Sequence, residues 1–329
     1  MRDTTSFLQS AGFAAARLVP LPSDASHRRY ARLEGGPRPA LLMDAPPPED
    51  VRPFLAVQRH IAAIGLSAPE ILAADEASGF LLIEDFGDAT HAALLDAGAD
   101  PLPLYLEAAE TLAALHAAPP PAHLPPWGPA EMARATAATF LDWWWPAAFG
   151  SAADADVRAH LDVALAAMLA PFAGAGCFVH RDYFPANLLR LEARPSPRRT
   201  GLIDFQDAAL GSPAYDLVSL VEDARRDVAP AVRNAAIGRY LAARPGLDRD
   251  QFAAAMAACA AQRHLRVAAL WVRLARRDAK PGYLAHGPRC WRLLDRALRH
   301  PATEPLRDFL DDRIPPALRR TPAVLTEPA

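Results

Sequence analysis

Strand-like segments crowd into the first 84 residues of this chain, and nearly everything beyond residue 88 repeats with helical spacing. Nothing else in the sequence constrains the fold as strongly. A short helix near Thr5–Ala15 precedes two apolar segments, Arg17–Leu21 and His27–Leu33, and Glu34-Gly35-Gly36-Pro37 then turns the chain into a returning strand, Ala40–Asp44. Pro46-Pro47-Pro48-Glu49-Asp50 opens a helix over Val51–Ile64, with acids where the helix dipole favours them. Ile71–Asp75 and Phe80–Glu84 flank Glu76-Ala77-Ser78-Gly79, a hairpin signal. Beyond residue 88, Ala/Leu patterns predict helices near Leu102–His116, Pro129–Trp145, Ala155–Leu169, Ala214–Arg226, Ala229–Ala243, Arg249–Ala275 and Tyr283–Arg299. The expectation is a bilobal α+β molecule: a small β-rich lobe over 1–84, a hinge at 85–88, and a larger, mostly helical lobe over 89–329.

Composition excludes several classes. The 329 residues are 51% hydrophobic and 22% charged, which suits a packed core. A formal charge of −3 gives no reason to expect a nucleic-acid partner. Cys177, Cys259 and Cys290 are odd in number and far apart, which argues against both a disulfide framework and a zinc ribbon. The uncharged run Val163–Val179 is broken by Pro171, Gly174 and Gly176, so no membrane span is expected. With Asp3 and no apolar signal core at the N-terminus, a cytoplasmic location is expected, with no obligate protein partner evident. Of the 35 basic residues, Lys280 is the single lysine.

Two short β-like segments, Cys177–His180 and Thr200–Phe205, interrupt the helical part, and each runs into acid. The first continues as His180-Arg181-Asp182-Tyr183-Phe184-Pro185-Ala186-Asn187, and the second ends in Asp204-Phe205-Gln206-Asp207. This is the H-x-D-x-x-x-x-N…D-F spacing of kinase-type phosphoryl transfer. An acceptor hydroxyl has to be oriented and relieved of its proton, which suits Asp182 on a loop at a strand end. ATP brings Mg²⁺, a hard cation that wants oxygen ligands, and Asn187 and Asp204 supply them. The two strands are expected to form adjacent hairpin arms that face both ligands to one site. His180 is read as a core histidine bracing the loop by hydrogen bonds.

Other segments have both a functional and a plain reading. Glu84-Asp85-Phe86 stands where a hinge backbone would meet an adenine edge, or is an ordinary strand end. Ser26, Arg28 and Arg29, in the Pro22–Tyr30 connection, are candidates to cover the phosphates, although the loop has no glycine and could be a solvated hairpin. Trp143-Trp144-Trp145 could stack a sugar but is more simply core. Tyr215-Asp216 is expected to brace the metal loop. Glu222-Asp223-Ala224-Arg225-Arg226 reads as a solvated helical face, or as one turned to substrate through Glu222 or Arg225.

With these residues in place, the chain resembles the aminoglycoside phosphotransferase and choline kinase superfamily, from about Phe7 to about residue 300. HRDYFPANLL and Leu202–Asp207 carry that resemblance. Pro22–Tyr30, Leu42–Pro47, Phe80–Asp88 and Pro213–Arg226 make it similar, within the superfamily, to the bacterial anomeric kinases of N-acetylmuramate and N-acetylglucosamine in cell-wall recycling. The resemblance implies a protein-kinase-like bilobal fold, Asp182 as catalytic base and substrate contact, and Asn187 and Asp204 as Mg²⁺ ligands. It also implies ATP and a small amino sugar as partners, and phosphate transfer to the C1 hydroxyl. One departure is plain: Met43 stands near the position of the usual strand lysine, and the following helix carries Gln58 and Arg59 in place of an obvious glutamate. Either arginines such as Arg28 or Arg29 take over with Mg²⁺, or nucleotide binding is lost and the chain is a pseudokinase, which the intact Asp182, Asn187 and Asp204 oppose. A kinase of the same fold acting on an aminoglycoside, choline or homoserine is the other alternative. An arginine near residue 225 suits a carboxylate-bearing sugar better than a polycation.

Overall fold

The computed structural model describes residues 2–22, 27–174 and 176–325. Along the chain run α1 (Thr5–Ser10), β1 (Arg17–Pro20), β2 (Arg29–Glu34), β3 (Ala40–Asp44), α2 (Arg52–Ala63), β4 (Ile71–Asp75), β5 (Phe80–Glu84), α3 (His91–Asp96) and α4 (Pro101–Ala117). Then follow β6 (Pro126–Trp127), α5 (Pro129–Thr139), α6 (Trp145–Phe149), α7 (Ala155–Leu169), β7 (Cys177–Val179), β8 (Leu188–Arg190), β9 (Thr200–Leu202) and β10 (Ala209–Gly211). The helices α8 (Ala214–Val221), α9 (Pro230–Ala243), α10 (Arg249–Arg277), α11 (Gly287–Ala297) and α12 (Glu304–Arg313) complete it. Two compact units emerge: residues 1–118 with 185–208, and residues 119–184 with 209–329.

The first unit is built on an antiparallel sheet in the order β1-β2-β3-β5-β4. Leu33, Ala40, Leu42 and Leu82 meet Leu8 and Phe13 in one cluster, so the short α1 is held by apolar burial rather than by propensity. The central strand β3 is buried along nearly its whole length, as its unbroken apolar run requires. The division differs from a boundary at residues 85–88, because α3, α4 and the β8–β9 hairpin belong with the sheet. Backbone bridges join Ser67 to Gly201 and Thr90 to Leu189, and the Thr111 hydroxyl donates to the Pro197 carbonyl at 2.7 Å.

The second unit surrounds α10, which packs against α5, α7, α8 and α11. The buried Gln262 amide donates to the Met132 carbonyl (3.0 Å) and the Thr136 hydroxyl (2.8 Å), fixing α5 on α10. A small sheet, β6-β10-β7, lies within the same unit. The predicted helix over 129–145 is broken by a π-helical turn at Phe140–Trp144. The predicted helix over 214–226 ends at Val221, because Glu222 leaves helical geometry with φ −134° and ψ 53°. Short α3 and α12 have no counterpart among the predicted helices.

Candidate active site

The loop carrying Asp182 grows out of β7, which is buried and pairs with β10 rather than with β9. Two successive amides leave that strand end needing acceptors, and the fully buried Asp216 supplies both. Its carboxylate takes the N–H of His180 at 2.5 Å and of Arg181 at 2.9 Å. Asp216 therefore braces the loop that carries Asp182, where the sequence pointed to the loop of Asp204. The turn forces Arg181 into left-handed geometry at φ 72°, a conformation that non-glycine residues hold only where their surroundings fix it. The Arg181 guanidinium stacks over Trp127 at 4.0 Å. His180 is wholly buried, with its ring edge-on to Tyr183. Neither ring nitrogen has a hydrogen-bond partner among the described residues, so His180 braces the loop by packing and through its backbone amide.

Asp182 is half-buried, and the Phe184 N–H donates to its carbonyl at 3.1 Å. In the same unit, the deeply buried Arg263 donates to the Tyr215 hydroxyl. Burial opposes the charge of Arg263, but Tyr215, Asp182 and Asp223 outweigh that and hold its pKa above the ordinary value.

Asn187 and Asp204 lie in the other unit, at the root of the β8–β9 hairpin. The predicted pairing of Cys177–His180 with Thr200–Phe205 is replaced by Leu188–Arg190 with Thr200–Leu202. The Ile203 N–H to Asn187 carbonyl bond continues the ladder at 3.2 Å. That register sets the Asn187 amide 3.3 Å from one Asp204 oxygen, while Gln206 donates to the other at 2.9 Å. Asp204 is also left-handed, with φ 60°. Flipping the Asn187 amide would turn its oxygen toward the carboxylate. The donor set is then amide and carboxylate oxygen, which fits Mg²⁺, an ion that takes few protein ligands and leaves the rest to phosphate and water.

Met43 is fully buried on β3, so that strand offers no cation where a lysine would stand. A candidate substitute in the same unit is Arg28, which is half-buried and salt-bridged to Glu49 at 2.9 Å. Burial opposes its charge, but the Glu49 hydrogen bond, with Tyr30, Glu49 and Asp204 acting by charge, raises its pKa overall. Arg29 is exposed on β2. Ser26 lies outside the described residues. Glu84 forms an ion pair with Arg194, whose guanidinium also covers the Phe86 ring at 5.1 Å. Gly201 makes room for that ring, since a Cβ there would sit 2.8 Å from it. The Glu84 N–H is already used by the Glu70 carbonyl. Arg32 grips Asp85 and Asp88 together, fixing the segment after β5.

The run 222–226 is not a solvated face. Glu222 and Asp223 are each 4% exposed. Glu222 receives His264 (2.9 Å), Arg233 (2.7 Å) and Arg296 (2.8 Å). Burial alone would raise its carboxyl, but His264 and the two arginines bring it down to about 2. Arg225 is half-exposed, its guanidinium 4.5 Å from the centre of the Phe184 ring and 5.3 Å from that of Trp271. Two of the three tryptophans, Trp144 and Trp145, belong to the core, and Trp143 is partly exposed. Trp144 is fully buried, stacks on Phe140 and donates to the Arg320 carbonyl, and Trp145 packs on Phe149.

Comparison with known proteins bears on the family and the fold. The profile of the phosphotransferase enzyme family matches residues 17–253. A protein of Caulobacter vibrioides named N-acetylmuramate/N-acetylglucosamine kinase is 38% identical, covering 95% of this chain and 96% of its own. One of the same name from Pseudomonas aeruginosa is 36% identical, covering 90% and 88%. Among solved structures, a thermostable mutant of the aminoglycoside phosphotransferase APH(4)-Ia superposes with a TM-score of 0.59 at 19% identity, covering 89% of this chain and 98% of that one. The choline kinase of Cryptosporidium parvum gives 0.57 at 13% identity, covering 92% of each. Those two likenesses bear on the fold, which is protein-kinase-like. With the family profile spanning most of its length and relatives matching nearly end to end, the chain belongs to the phosphotransferase enzyme family.

Proposed function

We propose that this enzyme is an ATP-dependent sugar kinase that phosphorylates the anomeric C1 hydroxyl of N-acetylmuramate, N-acetylglucosamine or both. The observation that carries this reading is the agreement of four relatives, 32–38% identical over most of their length, all named N-acetylmuramate/N-acetylglucosamine kinase. Solved neighbours bound to ADP or GDP support nucleotide use. In this reading Asp182 orients the acceptor hydroxyl and takes its proton. Asn187 and Asp204 hold Mg²⁺, which when bound neutralises charge on the β- and γ-phosphates. Arg28, oriented by Glu49, supplies the phosphate cation that β3 lacks, with Arg29 and Ser26 beside it in sequence. The chain around Glu84 and Phe86 meets the adenine edge. Arg225, its plane set by Phe184 and Trp271, takes the lactyl carboxylate of N-acetylmuramate, and Glu222 supports that region from within.

The C1 hydroxyl belongs to a hemiacetal and is more acidic than an ordinary sugar alcohol, so one carboxylate suffices to activate it. The product, a sugar 1-phosphate, is the form from which nucleotide sugars are made, and in this reading it feeds their synthesis in peptidoglycan recycling. The test is a panel of acceptors with labelled ATP. A 1-O-methyl sugar should give no turnover, and the product from the parent sugar should release phosphate in mild acid through an oxocarbenium ion. Phosphorylation of the 1-O-methyl sugar, or an acid-stable product, would overturn the anomeric assignment.

A further inference from the structure

Adjacent acids after α8 have opposite environments. Glu222 is met by two guanidinium groups, those of Arg233 and Arg296, and by the His264 ring. Asp223, equally buried, forms no ion pair among the described residues, and its one hydrogen bond there is from the Arg225 N–H at 2.9 Å. A buried carboxylate without a paired charge is expensive, and in a cleft it marks a functional group. Asp223 lines a polar cavity of about 160 Å³ with Glu222, Arg226, Asp227, Arg292 and Arg296. Two of the cations there are already committed, Arg296 to Glu222 and Arg292 to Asp227. Burial pushes the Asp223 carboxyl up, against the Arg225 amide and the charges of Arg225, Arg263 and Arg226. The buried Arg263, in the same unit, is held charged by Asp182 and Asp223 alike.

Resting on the sugar-kinase reading above, we propose that Asp223 is the sugar-recognition carboxylate, accepting a hydrogen bond from the 4- or 6-hydroxyl of the amino sugar. A carboxylate held near cations but not consumed by them is an acceptor, and sugar hydroxyls are the donors that suit it. N-acetylmuramate carries its lactyl ether on O3, so the hydroxyls it shares with N-acetylglucosamine, apart from the reacting one, are those on C4 and C6.

The experiment uses the full chain, N-acetylglucosamine and its 4-deoxy and 6-deoxy analogues. Wild type should discriminate against one of these analogues. Asp223→Asn should raise the KM for the parent sugar by roughly tenfold or more, since it weakens a hydrogen bond to a charged group. Its KM for ATP should stay within about twofold, because only sugar binding is touched. The penalty for the discriminated deoxy sugar should largely vanish in the variant. An unchanged sugar KM, or sugar and ATP KM values rising together, would overturn the role of Asp223 while wild-type turnover keeps the sugar-kinase reading. Wild type accepting both deoxy sugars as well as the parent would overturn it without any variant. Failure of wild type to phosphorylate any amino sugar would overturn both proposals.

Discussion

Two aspartates divide the work of one loop. Asp216 takes the amides of His180 and Arg181 and is out of contact with solvent, while Asp182 at the tip stays half-exposed. Asp182→Asn should therefore lower kcat by about 10²–10⁴, the usual weight of a general base, with thermal stability and ATP affinity little changed. Steady-state kinetics beside a melting curve checks this, and near-normal turnover in a folded variant would remove Asp182 from the chemistry. At this scale the sequence was legible where residue type and spacing are themselves the chemistry, as in the order Asp182, Asn187, Asp204. It was misleading where burial decides. The charges of 222–226 look alike on paper, yet Glu222 is locked in ion pairs and Asp223 is not, because only folding brings His264, Arg233 and Arg296 to one of them.

Between elements, Glu222 works as a junction, joining the end of α8 to Arg233 of α9, His264 of α10 and Arg296 of α11. Its carboxyl lies near 2 in the folded chain against an ordinary 4.5, so it binds protons more weakly folded than unfolded. That contribution is fully present above pH 4.5 and is lost as pH falls toward 2. At about 1.4 kcal/mol per pH unit, the loss is roughly 3 kcal/mol. Glu222→Gln should be destabilised at neutral pH and should lack this acid-dependent component. Urea midpoints of the two proteins across that window should converge as pH falls, and parallel curves would refute the role. Elements bounded by clear turn signals or carrying a helical period were read well from sequence: β3, β4, β5 and α7 have the predicted bounds. β8 escaped because three residues carry no period, and the Phe140–Trp144 π turn escaped because its residues still look helical in one dimension. The true partner of β9 therefore appears only in the structure.

The whole molecule carries its positive charge almost entirely as arginine, and its single lysine, Lys280, lies in a different unit from Arg28. If Arg28 holds the phosphates, amine acylation should leave ATP binding intact, whereas Arg28→Ala should raise the KM for ATP by roughly tenfold, the weight of a charge-assisted contact. Strong inactivation by an amine-selective reagent, prevented by ATP, would contradict this, with the N-terminal amine as control. The two-part character was visible in the sequence, but the path of the chain between the parts was not, because the ties that decide it join residues far apart in sequence. That path has a consequence for how the molecule is made and inherited. Residues 185–208 complete the first unit, yet residues 119–184 are translated before them. On the ribosome β3 and β5 can pair early, while Ser67 and Thr111 wait for Leu202 and Pro197 to leave the exit tunnel. A gene fragment encoding residues 1–118 would carry the sheet without its closing hairpin, so neither unit can be exchanged between genes as a single uninterrupted exon-like block.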